Sequence, residues 1–296
     1  MIKKIKITKY FDSQRLDKFL KKYFSNMSQS FIEKNIRKKN ILVNNFNVKS
    51  KYLLQENDLI VITNYSKEIY EDHKPLRIKK KINKTQIKNF NKSILFENQN
   101  FCVIDKWCGI STQGGTNISI SIDTIIKNIS NDYNLVHRLD KETSGLLIIA
   151  KNLKYTKIFG NLFKSQCIKK TYLALCDGKP KIKESYVNLL LDSDKKDKIQ
   201  TKTFYKVLSS NQKTSLIKFE PKTGKKHQLR IVSKNLGFPI VGDSKYNPNN
   251  SSKRENLKLN AHKLEFKIDN YQFSFRSNLP NDFTNYMKQK QINFTE

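Results

Sequence analysis

The first 65 residues combine short strand patterns with two helical patterns. Polar and apolar residues alternate over residues 1–8, which indicates a strand, and from Ser13 onward apolar residues recur at helical spacing. Ser13 is placed to cap the first helix, and Ser30 with Glu33 has the spacing of a capping box for a second. Two more strands are predicted at residues 41–43 and 59–62. The pattern therefore predicts a small α+β module over residues 1–65.

A basic stretch with little apolar periodicity separates this module from the rest of the chain. Residues 66–92 contain Lys-Pro-Leu-Arg-Ile-Lys-Lys-Lys, a composition that predicts a solvated linker. From residue 93 a hairpin is indicated by two apolar runs on either side of residues 97–100. Further strands are predicted at 146–151, 171–176, 203–208, 214–219 and 262–268, and helices at 121–129, 154–164 and 226–235. This irregular mixture predicts an α+β domain over residues 93–296 with a mixed, largely antiparallel sheet.

The charge of the chain favours a polyanionic partner. There are 57 Lys and Arg residues against 26 Asp and Glu, a formal net charge of +31. Fifty of the basic residues are Lys and seven are Arg, and Asn and Ile are also abundant, so drift in an AT-rich genome is an alternative source of the lysines. We favour a nucleic-acid partner because the acidic residues have not risen with the lysines.

Cysteine spacing and hydropathy narrow the class of protein further. Cys102, Cys108, Cys167 and Cys176 form no C-x-x-C pair and have no His at ligand spacing, which predicts reduced thiols and no metal site. The longest wholly apolar run, residues 146–150, is too short to cross a bilayer, and the N-terminus lacks an apolar signal core. We expect a soluble, cytoplasmic protein that has no contact with membranes.

Three polar segments are candidates for chemistry. Residues 137–145 run directly into the apolar strand predicted at 146–151, and a loop attached to a buried strand holds its side chains in fixed positions. The alternative is that Asp140 only accepts hydrogen bonds from backbone amides of the turn. Tyr172 lies on a predicted strand, where core packing is the alternative role. A turn at residues 223–224 precedes a predicted helix. The backbone amides at the start of that helix could bind phosphate, or the helix could be only a basic surface helix. In so lysine-rich a chain, Arg138 and Arg230 suggest a need for a planar guanidinium.

These segments resemble the signature motifs of one enzyme family. HRLDKETSGLLIIAK, KKTYLAL, TGKKHQLRIV and GFPIVGDSKY, in this order, are similar to those of the RluA-type pseudouridine synthases, and the resemblance covers about residues 90–285. The first module, with QRLDKFL and ILVN, resembles the RNA-binding domain named after ribosomal protein S-four. This pairing resembles the branch of the family that acts on large-subunit ribosomal RNA.

The resemblance implies a role for each motif. Asp140 matches the essential aspartate, Tyr172 the tyrosine that stacks on the target base, and Arg230 the arginine that pairs with the aspartate. Arg138 matches the residue that fills the gap left by the flipped base. Further RNA contacts are expected from His137, Lys225, His227 and Gln228, and in the first module from Arg15, Lys18, Lys34 and Arg37. The reaction implied is isomerisation of uridine to pseudouridine by a monomer that needs no metal or organic cofactor.

Two departures and three rival functions bear on this hypothesis. Lys225 and Val232 stand where the family more often has Arg and His, which bears on RNA contact and not on chemistry. A binding protein that has lost catalysis would not be expected to keep Asp140, Tyr172 and Arg230 together. A nuclease would need clustered carboxylates and a methyltransferase a Gly-rich loop after a strand, neither of which this sequence with nine Gly provides.

Overall fold

The chain folds into two compact units. The structure is a computed structural model that describes residues 1–24, 27–71, 82–115, 118–192, 198–247 and 255–294. The units comprise Met1–Lys80 and Lys81–Glu296. None of the described helices combines the length and the apolarity needed to cross a membrane.

The first unit is a three-stranded antiparallel sheet with helices packed on it. Its elements are β1 (Lys3–Lys6), α1 (Leu16–Tyr23), α2 (Gln29–Arg37), β2 (Ile41–Val43), β3 (Leu59–Ile62) and α3 (Lys67–Tyr70), and the strand order is β1-β3-β2. Phe19 of α1 and Ile32 of α2 are buried against Ile60 of β3, as their apolar spacing requires.

Both helix starts in the first unit differ from the predicted ones. Ser13 has a positive φ of 60° and lies before the helix, so it cannot cap α1, whose N-cap residue is Arg15. The N-cap of α2 is Ser28, not Ser30, because the Ser28 hydroxyl oxygen accepts a hydrogen bond of 3.1 Å from the backbone N–H of Phe31.

The predicted linker is helical at both of its described ends. Tyr70 at the end of α3 is fully buried in the first unit, with its ring centroid 5.5 Å from that of Phe31. Helix α4 (Lys84–Lys92) begins with a capping box of Asn83 and Gln86, and its Phe90 is buried in the core of the second unit. These two aromatic residues attach the ends of the basic stretch to the two cores, which a solvated linker does not require. Residues 72–81 lie outside the described part of the chain.

The second unit is built on one ten-stranded sheet. Its remaining elements are β4 (Ile94–Glu97), β5 (Phe101–Lys106), α5 (Ile122–Ile129), β6 (Asn134–Leu135), β7 (Ser144–Ala150), α6 (Leu153–Lys164), β8 (Lys169–Asp177), β9 (Glu184–Asp192), β10 (Lys198–Ser210), β11 (Thr214–Pro221), α7 (Gln228–Asn235), β12 (Leu259–Ile268), β13 (Tyr271–Arg276) and α8 (Asn281–Gln289). The strand order is β4-β5-β7-β12-β8-β11-β10-β9, with β6 on β7 and β13 on β12. Among these pairs only β7 and β12 run parallel, so the predicted mixed, largely antiparallel α+β class is confirmed.

Helices cover both faces of the central strands. In β7, Leu147 and Ile149 pack towards α5, whereas Leu146 and Ile148 pack towards Phe159 of α6. In β8 the two faces alternate in the same way, one packing on α7 and the other on α8. Strands buried on both faces are continuously apolar, which is why residues 146–150 form the longest apolar run in the sequence.

The parallel contact between β7 and β12 is very close. Gly145 pairs with Ala261 and has φ +106°, and a Cβ atom added there would lie 2.4 Å from the Ala261 carbonyl oxygen. Beside it, the Asn260 side-chain amide donates to Ser144 Oγ at 2.9 Å, and Ser277 Oγ donates to Asn260 Oδ1 at 2.6 Å. The end of β7 that follows the Asp140 loop is therefore fixed by glycine and by buried hydrogen bonds.

Candidate active site

The loop that carries Asp140 is attached to the fold at several points. Leu139 is buried, and its backbone carbonyl accepts from Thr112 Oγ1 at 2.7 Å while its N–H donates to the same oxygen at 3.1 Å. The Lys141 carbonyl accepts from the backbone N–H of Gly109 at 2.9 Å and from Lys106 Nζ at 3.3 Å. These bonds fix the backbone on both sides of Asp140, so the direction of its side chain is set by the scaffold.

Lys106 is a fully buried cation beneath this loop. Its ammonium also donates to the carbonyls of Trp107 and Ile110, both at 3.1 Å. Burial lowers its pKa to about 8, and the charges of Asp140 and Glu142 act in the opposite direction. Nothing in the sequence distinguishes Lys106 from the other forty-nine lysines, because its role depends on burial.

Asp140 lies where two cavities meet. One cavity of about 650 Å³ is lined by Tyr172, the 222–230 segment and Asp140, and a second of about 340 Å³ shares Asp140, Arg138 and Arg230 with it. The Asp140 side chain is 21 % exposed and is therefore open to a ligand. The structure thus brings the four residues of the predicted chemistry together, as the motif order alone could not guarantee.

Tyr172 projects from β8 into the larger cavity and packs against the apolar clusters around α5 and α7. Burial raises the pKa of its phenol, and the negative charge of Asp140 raises it further. The ring is consequently a neutral, half-buried aromatic surface close to the carboxylate, suited to stacking on a base.

Arg230 does not pair directly with Asp140 as predicted. Its Nε and Nη2 atoms each lie 2.7 Å from an oxygen of Asp243, and its Nη1 lies 3.7 Å from Glu142 Oε2. Burial opposes the charged guanidinium, but the hydrogen-bonded Asp243 raises the Arg230 pKa, with smaller contributions from Glu142 and Asp140. Arg230 therefore contributes positive potential at Asp140 while its fork is held by another carboxylate.

His227 is the charged or polar side chain that faces Asp140 most directly. Its Nε2 lies 3.8 Å from Asp140 Oδ1 and its Nδ1 lies 3.0 Å from the Tyr246 hydroxyl. The residue has φ 55°, in the left-handed region, and immediately precedes α7. Burial lowers the His227 pKa, Asp140 raises it, and Arg230 lowers it again.

Two residues predicted to contact RNA also have contacts inside the protein. His137 Nε2 accepts from the backbone N–H of Ile148 at 2.9 Å, and its ring packs on Phe163. Burial lowers the His137 pKa to about 3. Gln228 is buried, with its Oε1 accepting from the Lys225 backbone N–H at 3.0 Å and its Nε2 donating to Thr203. The bonded atoms, His137 Nε2 and both polar atoms of the Gln228 amide, therefore hold the walls of the cavity.

The other predicted RNA contacts remain accessible or partly so. Arg138 and Lys225 are exposed at the cavity, and Lys18, Lys34 and Arg37 are exposed on the helices of the first unit. Arg15 is half-buried and pairs with Asp17, its Nη2 lying 2.6 Å from Asp17 Oδ2. Arg15 is therefore partly committed to the fold of its own unit.

Comparison with known proteins identifies relatives of this chain. A family model described as RNA pseudouridylate synthase matches residues 100–235. The chain is 36% identical to the ribosomal large subunit pseudouridine synthase C of Rickettsia felis, over 92% of this chain and 95% of that protein. With the corresponding protein of Rickettsia bellii it shares 36% identity, over 79% and 83% of the two chains.

The chain belongs to the RNA pseudouridylate synthase family. This pseudouridine synthase is therefore an isomerase, as its resemblance to the RluA-type enzymes implied. A solved structure, human RNA pseudouridylate synthase domain containing 4, has the same fold, with a TM-score of 0.63 and 23% identity over 72% of this chain and 98% of that one.

Proposed function

We propose that the enzyme isomerises specific uridines of large-subunit ribosomal RNA, with Asp140 as the acting carboxylate. The position of Asp140 is the observation that carries the proposal: it lies open between two cavities, faced by the Tyr172 ring and by basic side chains. A uridine flipped from its stack could place its glycosidic bond against this carboxylate. The names of the Rickettsia relatives support ribosomal RNA of the large subunit as the substrate.

The reaction requires one bond to be exchanged for another. The bond between ribose C1′ and ring N1 breaks, the base turns, C1′ bonds to ring C5, the C5 hydrogen leaves as a proton, and N1 takes up a proton. Asp140 acts by attack on the ribose or the ring, or as the base of an elimination, and each route needs it ionised. The positive potential from Arg230 and the lysines around the cavity favours that state.

The surrounding side chains would hold the RNA. Tyr172 would stack on the flipped uracil, and exposed Arg138 would fill the space that the base leaves. We further propose that the first unit is an RNA-binding domain of the ribosomal-protein-S-four type, whose exposed Lys18, Lys34 and Arg37 contact phosphates and select the stem-loop. The enzyme would act as a monomer in the cytoplasm.

Release of tritium tests the chemistry. Ribosomal RNA labelled with tritium at uridine C5 should lose tritium with the wild-type enzyme and not with Asp140→Asn. The RNA affinity of Asp140→Asn should stay within about twofold of the wild-type value, because affinity comes from many phosphate contacts. Absence of tritium release by the wild-type protein on any large-subunit substrate would count against the proposal. A collapse of RNA affinity in Asp140→Asn would make Asp140 structural.

Charge removal in the first unit tests its targeting role. The combined variant Lys18→Gln, Lys34→Gln and Arg37→Gln should modify its native sites slowly while retaining tritium release on a short, tightly presented stem-loop. Unchanged rates at every native site, measured by mapping pseudouridine in RNA from cells with the variant gene, would refute that role.

A further inference from the structure

The walls of the larger cavity carry far more positive than negative charge. Its lining includes five lysines, two arginines and one carboxylate among the described residues, namely Lys164, Lys170, Lys222, Lys225, Lys226, Arg138, Arg230 and Asp140. Most of these lysines are exposed. Lys170 is the exception, because it is half-buried.

Lys170 lies on β8, two residues before Tyr172 and on the same face of the strand. Its Nζ reaches the turn at Gly224, 3.8 Å from the position that a Cβ atom of that glycine would take. Lys222 is close enough to act electrostatically on it, and Lys170 acts in the same way on His137. Three basic groups therefore surround one corner of the cavity.

The two fully buried lysines among the described residues bond to oxygen atoms of the protein, whereas the half-buried Lys170 does not. Lys106 Nζ donates to three backbone carbonyls, and Lys258 Nζ lies 2.9 Å from Glu255 and 3.0 Å from Asp282. The side-chain ammonium of Lys170 forms neither a hydrogen bond nor an ion pair with any other residue that the structure describes. Burial lowers its pKa, and the nearby Lys222 lowers it further, so the free protein keeps this cation at a cost.

We propose that Lys170, assisted by Lys222, binds one backbone phosphate that flanks the flipped uridine. This inference rests on the proposed function and extends it to a specific ligand group. A nucleotide that enters the cavity brings its phosphates with it, and a phosphodiester supplies both the negative charge and the acceptor oxygens that Lys170 lacks. Because Lys170 and Tyr172 share a strand face, phosphate binding there would also set the position of the base on the tyrosine ring.

Lys169 provides a matched control for this proposal. It precedes Lys170 on β8, is exposed, and pairs with Glu265, its Nζ lying 3.7 Å from Oε2. Lys170→Gln should weaken binding to a substrate stem-loop about tenfold and reduce the slope of log affinity against log salt by about 0.7 to 0.9. Lys169→Gln should change neither quantity. Thermal unfolding should show Lys170→Gln no less stable than the wild-type enzyme, since the Lys170 ammonium has no bond to a described residue that the substitution would remove.

Neutral methylphosphonate linkages would identify the phosphate itself. With the target uridine mapped, stem-loops are made with one such linkage at each flanking position and measured with both proteins. At one position, the neutral linkage should weaken binding by the wild-type enzyme about tenfold relative to the unmodified stem-loop, whereas it should not weaken binding by Lys170→Gln. Equal losses for the two proteins at every position, or Lys170→Gln matching Lys169→Gln, would overturn the proposal. Failure of the wild-type enzyme to form pseudouridine would instead defeat the proposed function, and the affinity measurements would still decide the role of Lys170.

Discussion

Arg230 and Asp243 form a buried, two-bond ion pair thirteen residues apart in the chain, with both donor–acceptor distances at 2.7 Å. Asp243 also accepts from the backbone N–H groups of Lys245 and Tyr246, each at 2.9 Å. The pair therefore joins α7 to the segment after it and fixes the guanidinium beside the site. Burial opposes the Asp243 carboxylate, but its bonds to Arg230 lower its pKa.

Replacing Asp243 by Asn should leave a buried guanidinium without its counter-charge. We expect Asp243→Asn to lower the free energy of unfolding by about 3 kcal/mol, measured by urea denaturation. Asp269→Asn is the matched control, because Asp269 is exposed in a turn at φ 53°, a conformation that Asn tolerates, and it should change stability by less than about 0.5 kcal/mol. Equal stability of the two variants would contradict a structural role for the pair.

A side chain at Gly145 should disrupt the junction of β7 and β12. Gly145→Ala would place its Cβ atom 2.4 Å from the Ala261 carbonyl oxygen, at a φ of +106° that L-residues rarely adopt. The expected loss is at least about 3 kcal/mol of unfolding free energy, or failure to fold. Gly160→Ala, within α6 and with no atom within 4 Å of the new Cβ, should instead stabilise by about 0.5 kcal/mol. A tolerated Gly145→Ala would show that the two strands can separate without loss of the fold.

His227 should act on Asp140 more than on RNA affinity. We expect His227→Asn, which tolerates the left-handed backbone, to lower kcat about tenfold through loss of the imidazole that faces Asp140 Oδ1 at 3.8 Å. Lys226→Ala, the exposed neighbour, should act mainly through weaker RNA binding. Steady-state kinetics with a defined stem-loop separates the two effects, and a His227→Asn variant altered in KM alone would mark His227 as an RNA contact.

Acid should destabilise the fold through His137. Its pKa is lowered to about 3 in the folded protein, whereas an unfolded His titrates near 6.5. The unfolded state therefore binds more protons between those values, and stability is lost progressively as pH falls from about 6.5 towards 3. Between pH 7 and pH 4.5 the wild-type enzyme should lose about 2 kcal/mol more than His137→Gln, whose amide oxygen can still accept from Ile148. Parallel pH–stability curves would be inconsistent with a buried neutral imidazole.

Sequence patterns predicted the elements whose periodicity is simple. The β4–β5 hairpin, the buried strand β7 and the helix over residues 153–164 match the structure within about two residues. Helix ends were harder to predict, because they depend on backbone angles. The helix predicted from residue 226 begins at Gln228, because the left-handed backbone conformation of His227 cannot be part of a right-handed helix.

Partner choice in the site could not be predicted from motif order. Asp140 and Arg230 do line one cavity, as their motifs led us to expect. They are ninety positions apart in the sequence, however, and this separation does not show which carboxylate the Arg230 guanidinium binds. Asp243 and Tyr246 lie within the quoted segment GFPIVGDSKY, so the signal was present, although their contacts depend on the turn that follows α7. The role of Lys106 depends on burial, which a single lysine in a lysine-rich chain does not reveal.

The parallel pairing of β7 with β12 constrains when the enzyme becomes competent during its own synthesis. Ser144, just after the loop that carries Asp140, hydrogen-bonds to a residue 116 positions later. Until β12 has been translated, β7 is paired with β5 and β6 alone, and the hydrogen bond from Asn260 to Ser144 cannot form. Activity should therefore appear only once β12 has been synthesised and has paired with β7.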